Sequence, residues 1–166
     1  MTSLLIRVVS LALTFCLASP AFSKDFTTYS NTNQLIWDKK FKPALVSFLG
    51  PRKASYFWKN DLVWKQVLEG LGGPPEKIIK IQSGLYLASA CRAHSCDEKS
   101  AVVIENPYRI VAVGLIEYGC FHSDLQCSTP TLQVFVKQRN EQAEQALFMW
   151  AKSVVERPDI KLTVLK

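Results

Sequence analysis

Apolar positions in the first half of the chain recur with the period of helices. Asn31 or Thr32 is placed to cap a first helix that extends to Phe41. Pro43 then breaks that helix or begins a new first turn, because proline has no N–H to donate inside a helix. A short turn is predicted over 44–49, and Gly50-Pro51 ends it.

After residue 75 the pattern changes from helix to strand. Residues 61–71 carry apolar side chains at helical spacing, and the Gly-Gly-Pro-Pro sequence at 72–75 ends this helix. A closing amphipathic helix is predicted over 141–155. Between these helices, five apolar segments are predicted strands: 78–81, 85–90, 101–105, 109–118 and 131–137.

These elements predict a single domain of the α+β class. Turn sequences at 82–84 and 106–108 join consecutive strands as hairpins. Strands joined in this way form a meander, and one face of such a sheet must be covered to bury its apolar side chains. We therefore expect about five antiparallel strands with helices packed on one face.

The N-terminus predicts a cleaved secretory signal peptide. Arg7 precedes a short apolar run, and Ala21 and Ser23 place small residues at the −3 and −1 positions of a cleavage site. The run is too short for a membrane-spanning helix, which needs about 20 apolar residues. We expect removal of residues 1–23, which leaves residues 24–166 as a periplasmic domain with no membrane segment.

The composition and the motifs of the chain argue against several functional classes. Hydrophobic residues make up 48% of the chain and four are tryptophan, which is sufficient for a packed core. The formal charge is +6, but the lysines and arginines are dispersed, so a nucleic-acid partner is not expected. The sequence has no nucleophile elbow, zinc-protease helix, glycine-rich phosphate loop or Cys-x-x-Cys pair. We therefore expect a protein that is not an enzyme, has no catalytic residues and needs no cofactor.

Four cysteines remain after the signal peptide: Cys91, Cys96, Cys120 and Cys127. An even number in an exported chain indicates disulfides, although four cysteines allow three pairings. Proximity in sequence favours the pairs 91–96 and 120–127. Each pair encloses a histidine, but neither spacing is usual for structural zinc, and an oxidising compartment disfavours free thiols. No metal site is predicted.

The candidate functional site is the segment closed by the first cysteine pair, with the residues Arg92, Ala93, His94 and Ser95 between the cysteines. A disulfide would make this loop short and stiff, which lowers the entropy lost when it meets a partner. One interpretation is a surface hairpin whose histidine is merely solvated. The other is a projection in which Arg92 and His94 offer hydrogen bonds to carboxylates in a partner's cleft.

The run from Gly84 to Cys96 resembles the Ivy family, the periplasmic inhibitors of vertebrate lysozyme. In that family a Cys-Lys-Pro-His-Asp-Cys loop follows a strand that ends in Ser-Ala-Cys. The resemblance extends over about residues 76–155, through the glycine-containing strand and the closing helix. Arg92 stands where the family has lysine, Ala93 replaces its proline, and Ser95 replaces its aspartate.

The resemblance implies a fold, a function and a partner. Ivy proteins have a five-stranded antiparallel sheet flanked by helices, and they often form homodimers. They insert the loop into the active-site cleft of c-type lysozymes, where the loop histidine contacts both catalytic carboxylates. In this chain His94 would take that role. The loss of the proline at Ala93 reduces the preorganisation of the loop, and Ser95 lacks a charge that could orient the histidine.

Other interpretations remain open for the second cysteine segment and for the target. The segment between Cys120 and Cys127 is either a second disulfide staple or a second contact region that uses Phe121 and His122. The target could also be a lytic transglycosylase, or the chain could be a relative that has lost inhibition. A rival class is binding to anionic cell-wall polymers, for which the positive charge and the aromatic residues Trp58 and Trp64 would be suited.

Overall fold

The computed structural model describes residues 25–82, 84–106, 108–119 and 129–166. Within these ranges a short 3₁₀ helix at Phe26–Thr28 precedes the α-helices, which are α1 (Thr32–Ile36), α2 (Phe41–Leu49), α3 (Val63–Gly70) and α4 (Glu141–Val154). None of the helices in the described residues is long and apolar enough to cross a membrane.

The predicted cap of the first helix is confirmed, but its predicted length is wrong. The side chain of Asn31 accepts a hydrogen bond from the backbone N–H of Gln34 at 3.3 Å, and α1 ends at Ile36. Phe41 instead begins α2, and Pro43 lies in the first turn of that helix. Proline is tolerated there because the first N–H groups of a helix have no partner within it.

Eight β-strands are found in the described residues: β1 (Lys53–Ala54), β2 (Asp61–Leu62), β3 (Ile79–Gln82), β4 (Leu85–Arg92), β5 (Ser95–Glu105), β6 (Arg109–Glu117), β7 (Thr131–Val136) and β8 (Asp159–Val164). The first two form a small sheet of their own, and the others form a six-stranded sheet in chain order. All neighbours in the large sheet are antiparallel except β7 and β8, which are parallel. The sheet therefore has six strands rather than five.

The prediction that helices cover one face of the sheet is wrong. Helices α1 to α3 pack on one face, with Phe41, Leu45 and Val67 buried against it. Helix α4 packs on the opposite face through Leu147 and Trp150. The reason lies in the strands, because β6 and β7 are buried at nearly every position and therefore need cover on both sides.

Candidate functional site

The candidate loop is the turn of the hairpin formed by β4 and β5. Arg92 pairs with Ser95, and Ala93 and His94 form the exposed tip between them. The predicted disulfide between Cys91 and Cys96 is confirmed, with a Cα–Cα distance of 4.7 Å. The four residues of the candidate site thus lie together at the end of the hairpin, as the sequence predicted.

A bulge below the tip separates the two strands of this hairpin. The next strand pair beyond Arg92 and Ser95 is Cys91 with Lys99, so residues 96–98 of β5 have no direct counterpart in β4. The extra residues bring Glu98 beside Arg92, and the two side chains form an ion pair. The bulge therefore gives the arginine a partner within the protein.

The backbone of His94 has an unusual conformation. Its φ angle is 65°, in the left-handed region that favours glycine. Positive φ at the second central residue is a property of type II turns, where glycine or asparagine is usual. The side chain is exposed at the tip. The turn therefore fixes the direction in which the imidazole leaves the backbone.

Arg92 lies back against the body of the protein instead of projecting with His94. Its guanidinium carbon is 4.4 Å from the centroid of the Trp58 ring, and its side chain is only 21% exposed. In addition to Glu98, Arg92 approaches Glu69, with 4.0 Å between Nε and Oε2. The planar cation is thus held by an aromatic face and two carboxylates, a geometry that suits arginine better than lysine.

Trp58 is itself fixed by the segment in which it lies. The side-chain oxygen of Gln66 accepts hydrogen bonds from the backbone N–H groups of three consecutive residues, including Phe57 at 2.7 Å and Trp58 at 3.2 Å. The indole N–H of Trp58 donates to Glu69. Because Gln66 is fully buried in α3, this segment is anchored to the core. From the sequence, Trp58 was named only as an aromatic residue suited to cell-wall binding. It was not identified as the residue that supports Arg92.

The base of the hairpin is held by the glycine-proline segment that follows α3. The N–H of Gly73 donates to the carbonyl of Cys91 at 2.8 Å, and Pro75 forms an isolated bridge with Ala90. A Cβ atom at Gly73 would lie 2.3 Å from the Cys91 oxygen, so only glycine fits here. The hydroxyl of Thr32 also donates to the carbonyl of Ser89 at 2.7 Å, on the same edge of β4. The sequence had identified the segment only as the end of a helix.

The second cysteine segment lies outside the described residues. This applies to Cys120, Phe121, His122 and Cys127, so their pairing and contact role stay predictions. The described part of the chain contains no group of three or more His, Cys, Asp or Glu residues that could hold a metal ion. The centroid of the Trp64 ring lies 5.4 Å from the Lys42 ammonium nitrogen.

Residues 55–120 match the family model described as Inhibitor of vertebrate lysozyme (Ivy). The matched range contains Trp58, α3, the glycine-proline segment and the complete hairpin. It confirms the resemblance that the loop sequence suggested, and by its description the family consists of inhibitors. No curated protein and no solved structure matches the chain.

Proposed function

We propose, from the Ivy match over residues 55–120, that this chain is an exported inhibitor of a peptidoglycan-cleaving glycosidase, with c-type lysozyme as its first target. It would act in the periplasm by inserting the hairpin tip into the active-site cleft. The observation that carries the proposal is the exposed His94 at the tip of a disulfide-closed hairpin inside the matched range.

The chemistry of the imidazole suits such a cleft. Retaining glycosidases have two carboxyl groups about 5 Å apart, of which one is protonated and the other ionised. A neutral imidazole has one donor nitrogen and one acceptor nitrogen. His94 could therefore donate to the ionised carboxylate and accept from the protonated acid at the same time. Substrate would be excluded, and both catalytic groups would be held in their resting protonation states.

We assign the loop residues different roles within this mechanism. Ala93 and His94 form the tip that enters the cleft, and the half-buried Ser95 follows at its edge. Arg92 acts as a positioning residue, because its guanidinium is already engaged by Trp58 and Glu98. Its contacts support the idea that it sets the orientation of the hairpin, while its charge adds local attraction to an acidic cleft.

The net charge favours a second candidate target. After removal of the signal peptide the formal charge is about +5, because Arg7 is lost from a chain of +6. c-Type lysozymes are typically cationic, so long-range repulsion would slow association, although screening limits it beyond about 8 Å at physiological salt. A less basic muramidase, such as a lytic transglycosylase, would associate faster. Cell-wall binding is the rival that does not need His94.

We also propose that the homodimer implied by the resemblance forms through β8. This strand lies at the edge of the six-stranded sheet and exposes Ile160, Leu162 and Val164. Because side chains alternate along a strand, these three residues share one face. An apolar edge strand of this kind is suited to pairing with another strand.

The test is a lysis assay with c-type lysozyme and residues 24–166, in which wild type is compared with His94→Gly and His94→Asn. Glycine and asparagine tolerate positive φ, so these variants remove the imidazole without straining the turn. We expect wild type to inhibit and both variants to lose about 10- to 100-fold in affinity, since a hydrogen bond to a charged group contributes roughly 1.5–3 kcal/mol.

His94→Ala serves as the comparison that adds backbone strain. Reduction of the Cys91–Cys96 disulfide should weaken inhibition as well, because the loop would lose its preorganisation. Full inhibition by His94→Gly would rule out the imidazole as the inhibitory group. If wild type does not inhibit, the c-type lysozyme proposal fails, and lytic transglycosylases and cell-wall polymers become the next substrates to assay.

A further inference from the structure

A long groove lies on the face of the sheet that α4 only partly covers. Helix α4 sits closely on β6, because a Cβ at Gly114 would lie 3.0 Å from the Leu147 side chain. Beside the helix, β3 is left exposed at most positions, whereas Leu85 and Leu87 of β4 are buried. The resulting groove has a volume of about 1080 Å³, and its walls are formed by β3, β4 and α4.

The walls of the groove are apolar and exposed. Ile79 on β3 is 55% exposed and Met149 on α4 is 58% exposed, and both line the groove. Ile81 and Phe148 continue the same two walls, and Leu87 lies on the floor. Contiguous exposed apolar surface of this kind marks an interaction site, and methionine adapts readily to different partners.

The charge of the groove is opposite to that of the chain. Four charged residues line it, and two of them, Arg139 and Glu144, neutralise each other in an ion pair of 2.8 Å. This leaves Glu76 and Glu141, so the lining is negative although the chain has a formal charge of +6. Lys80 lies between the groove-lining residues of β3 and therefore points to the other face of the sheet.

The two carboxylates without an ion-pair partner among the groove-lining residues, Glu76 and Glu141, lie toward opposite ends of the groove. Gln82 at the end of β3 bonds to Gln142, which places the N-terminal end of α4, and with it Glu141, beside that end of the strand. Glu76 precedes β3 and bonds to Ser89, farther along β4. A ligand that follows the groove would therefore meet apolar walls in the middle and a negative charge near each end.

The length and the apolar walls of the groove suit a peptide. Its volume of about 1080 Å³ is close to the upper limit of about 1000 Å³ for small-molecule pockets, so its length and not its volume indicates the ligand. The 14 residues of α4 give it a wall of about 21 Å. We propose that the groove binds a cationic amphipathic helix of a peptide or partner protein, with the apolar face of that helix packed between Ile79 and Met149 and its basic residues near Glu76 and Glu141.

This site is independent of lysozyme inhibition. None of the residues that line the groove belongs to the hairpin tip or to its supports Trp58, Glu69 and Arg92. Failure of the inhibition assay would therefore leave the groove proposal unchanged, and the reverse is also true.

The experiment is a fluorescence anisotropy titration of the protein with three labelled synthetic peptides. The first is an amphipathic Leu/Lys helix of 14 residues, chosen to match α4. The second is its Leu/Glu counterpart, and the third is a scrambled Leu/Lys peptide without an apolar face. We expect a micromolar Kd for the first peptide and binding at least about tenfold weaker for the other two, because only the first matches both the apolar walls and the charge.

Two substitutions that add the same charge provide the matched control. Met149→Lys places an ammonium group in the groove, whereas Trp37→Lys places one at an exposed apolar residue outside it. We expect Met149→Lys to weaken binding of the Leu/Lys helix by about tenfold or more, because the new ammonium group removes part of the apolar wall and repels the lysines of the peptide. Trp37→Lys should leave the Kd within about twofold. Both side chains are exposed, so neither change should affect folding.

Several outcomes would overturn the proposal. Equal affinity for the three peptides would show that neither the apolar face nor its charge is recognised. Equal effects of Met149→Lys and Trp37→Lys would place the binding surface elsewhere, and absence of binding would leave the groove without this ligand. A change of sedimentation coefficient in Met149→Lys, with peptide binding unaltered, would assign the groove to a second copy of the chain.

Discussion

At the scale of single residues, Arg92 differs most from what the sequence predicts. A basic residue next to a loop histidine suggests that both side chains project toward the partner. The structure instead places the guanidinium on the face of Trp58 and beside Glu98. Stacking on an aromatic ring contributes about 0.5–2 kcal/mol, which is enough to hold a side chain that would otherwise sample many rotamers.

Substitutions that keep the positive charge of Arg92 but remove its planar guanidinium group test whether Arg92 positions the hairpin. Arg92→Lys keeps the charge but loses the planar stack and the fork of donors. If Arg92 orients the hairpin, Arg92→Lys and Arg92→Ala should both weaken lysozyme inhibition by about tenfold, since the lost stack and ion pair contribute on the order of 1–2 kcal/mol. The measurement is the inhibition constant, together with amide hydrogen exchange at Ala93 and His94.

Trp58→Phe is the matched control for this prediction. It keeps an aromatic face under the guanidinium and loses only the N–H donated to Glu69, so inhibition should stay close to wild type. If Arg92→Lys inhibits as well as wild type and Arg92→Ala does not inhibit, the partner would instead interact directly with the positive charge at this position.

Local sequence explains why the loop was predicted and its supports were not. The disulfide and the hairpin tip lie within a few residues of each other, so spacing alone indicates them. Trp58 and Gly73 come from other segments and reach the hairpin only through the packing of α3 on the sheet. Nothing in the sequence near Gly73 shows that a side chain at this position would collide with the carbonyl of Cys91.

At the scale of elements, the N-terminus of α4 has a capping residue, Asn140, and a buried charged residue, Glu144. Asn140 accepts a hydrogen bond from the N–H of Ala143 at 3.0 Å, and the carboxylate of Glu144 accepts from the N–H of Asn140 at 3.0 Å. Glu144 is buried and also bonded to Arg139. The hydrogen bond from Arg139 lowers the pKa of Glu144 below its ordinary value.

The lowered pKa makes a prediction about stability and pH. A carboxylate with a depressed pKa in the folded state contributes stability above its unfolded pKa of about 4.3, and this stability is lost as the pH falls through the folded value. Glu144→Gln should therefore lower the free energy of unfolding at pH 7 by about 1–3 kcal/mol, as expected for a charged hydrogen bond. The difference from wild type should shrink between pH 4.5 and pH 3.

Urea unfolding at several pH values measures this effect. Glu141→Gln is the matched control, because Glu141 lies in the same first turn but is exposed, and its removal should cost no more than a few tenths of a kcal/mol. A Glu144→Gln variant whose stability loss is the same at pH 3 and pH 7 would mean that the ionised form of Glu144 does not stabilise the fold.

The first half of β5 and the whole of β8 were not predicted from the sequence. The first half of β5, from Ser95 to Ser100, is mostly polar and lies outside the predicted strand 101–105, although Ser95, Lys99 and Ser100 pair with β4. Strand β8 was also missed, although Ile160, Leu162 and Val164 alternate with polar residues at the period of a strand. By contrast, α3, β6, β7 and α4 have continuous or periodic apolar faces, and their predicted bounds agree with the structure within about two residues.

At the scale of the whole molecule, β8 leaves one edge of the sheet open. The N–H groups of Asp159 and Leu165 donate to the carbonyls of Pro130 and Val136, on the side of β7. The backbone groups of the alternate residues 160, 162 and 164 therefore point away from the sheet. The side chains of those same three residues are exposed and apolar. The free hydrogen-bonding groups and the apolar side chains therefore belong to the same positions, which is what a strand from a second copy would need.

In a two-fold dimer, the β8 strands of two copies can pair in a register centred on Leu162, which gives the backbone groups of residues 160, 162 and 164 hydrogen-bond partners. In antiparallel pairing, Leu162 of one copy lies opposite Leu162 of the other, and Ile160 lies opposite Val164. Three such pairs would exchange about six backbone hydrogen bonds and form one apolar stripe. The contact involves a single short strand from each copy, so the buried interface is small. We therefore expect a weak dimer that dissociates on dilution. Sedimentation velocity should show it in wild type, and Leu162→Lys should be monomeric.

Cysteine substitution tests the register itself. Directly opposed residues in a hydrogen-bonded pair have Cα atoms about 5.5 Å apart, within the range of a disulfide. Under mild oxidation Leu162→Cys should therefore cross-link to itself, whereas Ile160→Cys should cross-link only when mixed with Val164→Cys. Met149→Lys adds a charge to a different exposed apolar residue and should leave the dimer intact. Self-cross-linking of Ile160→Cys would mean another register, and a wild-type protein that stays monomeric at high concentration would exclude pairing through β8.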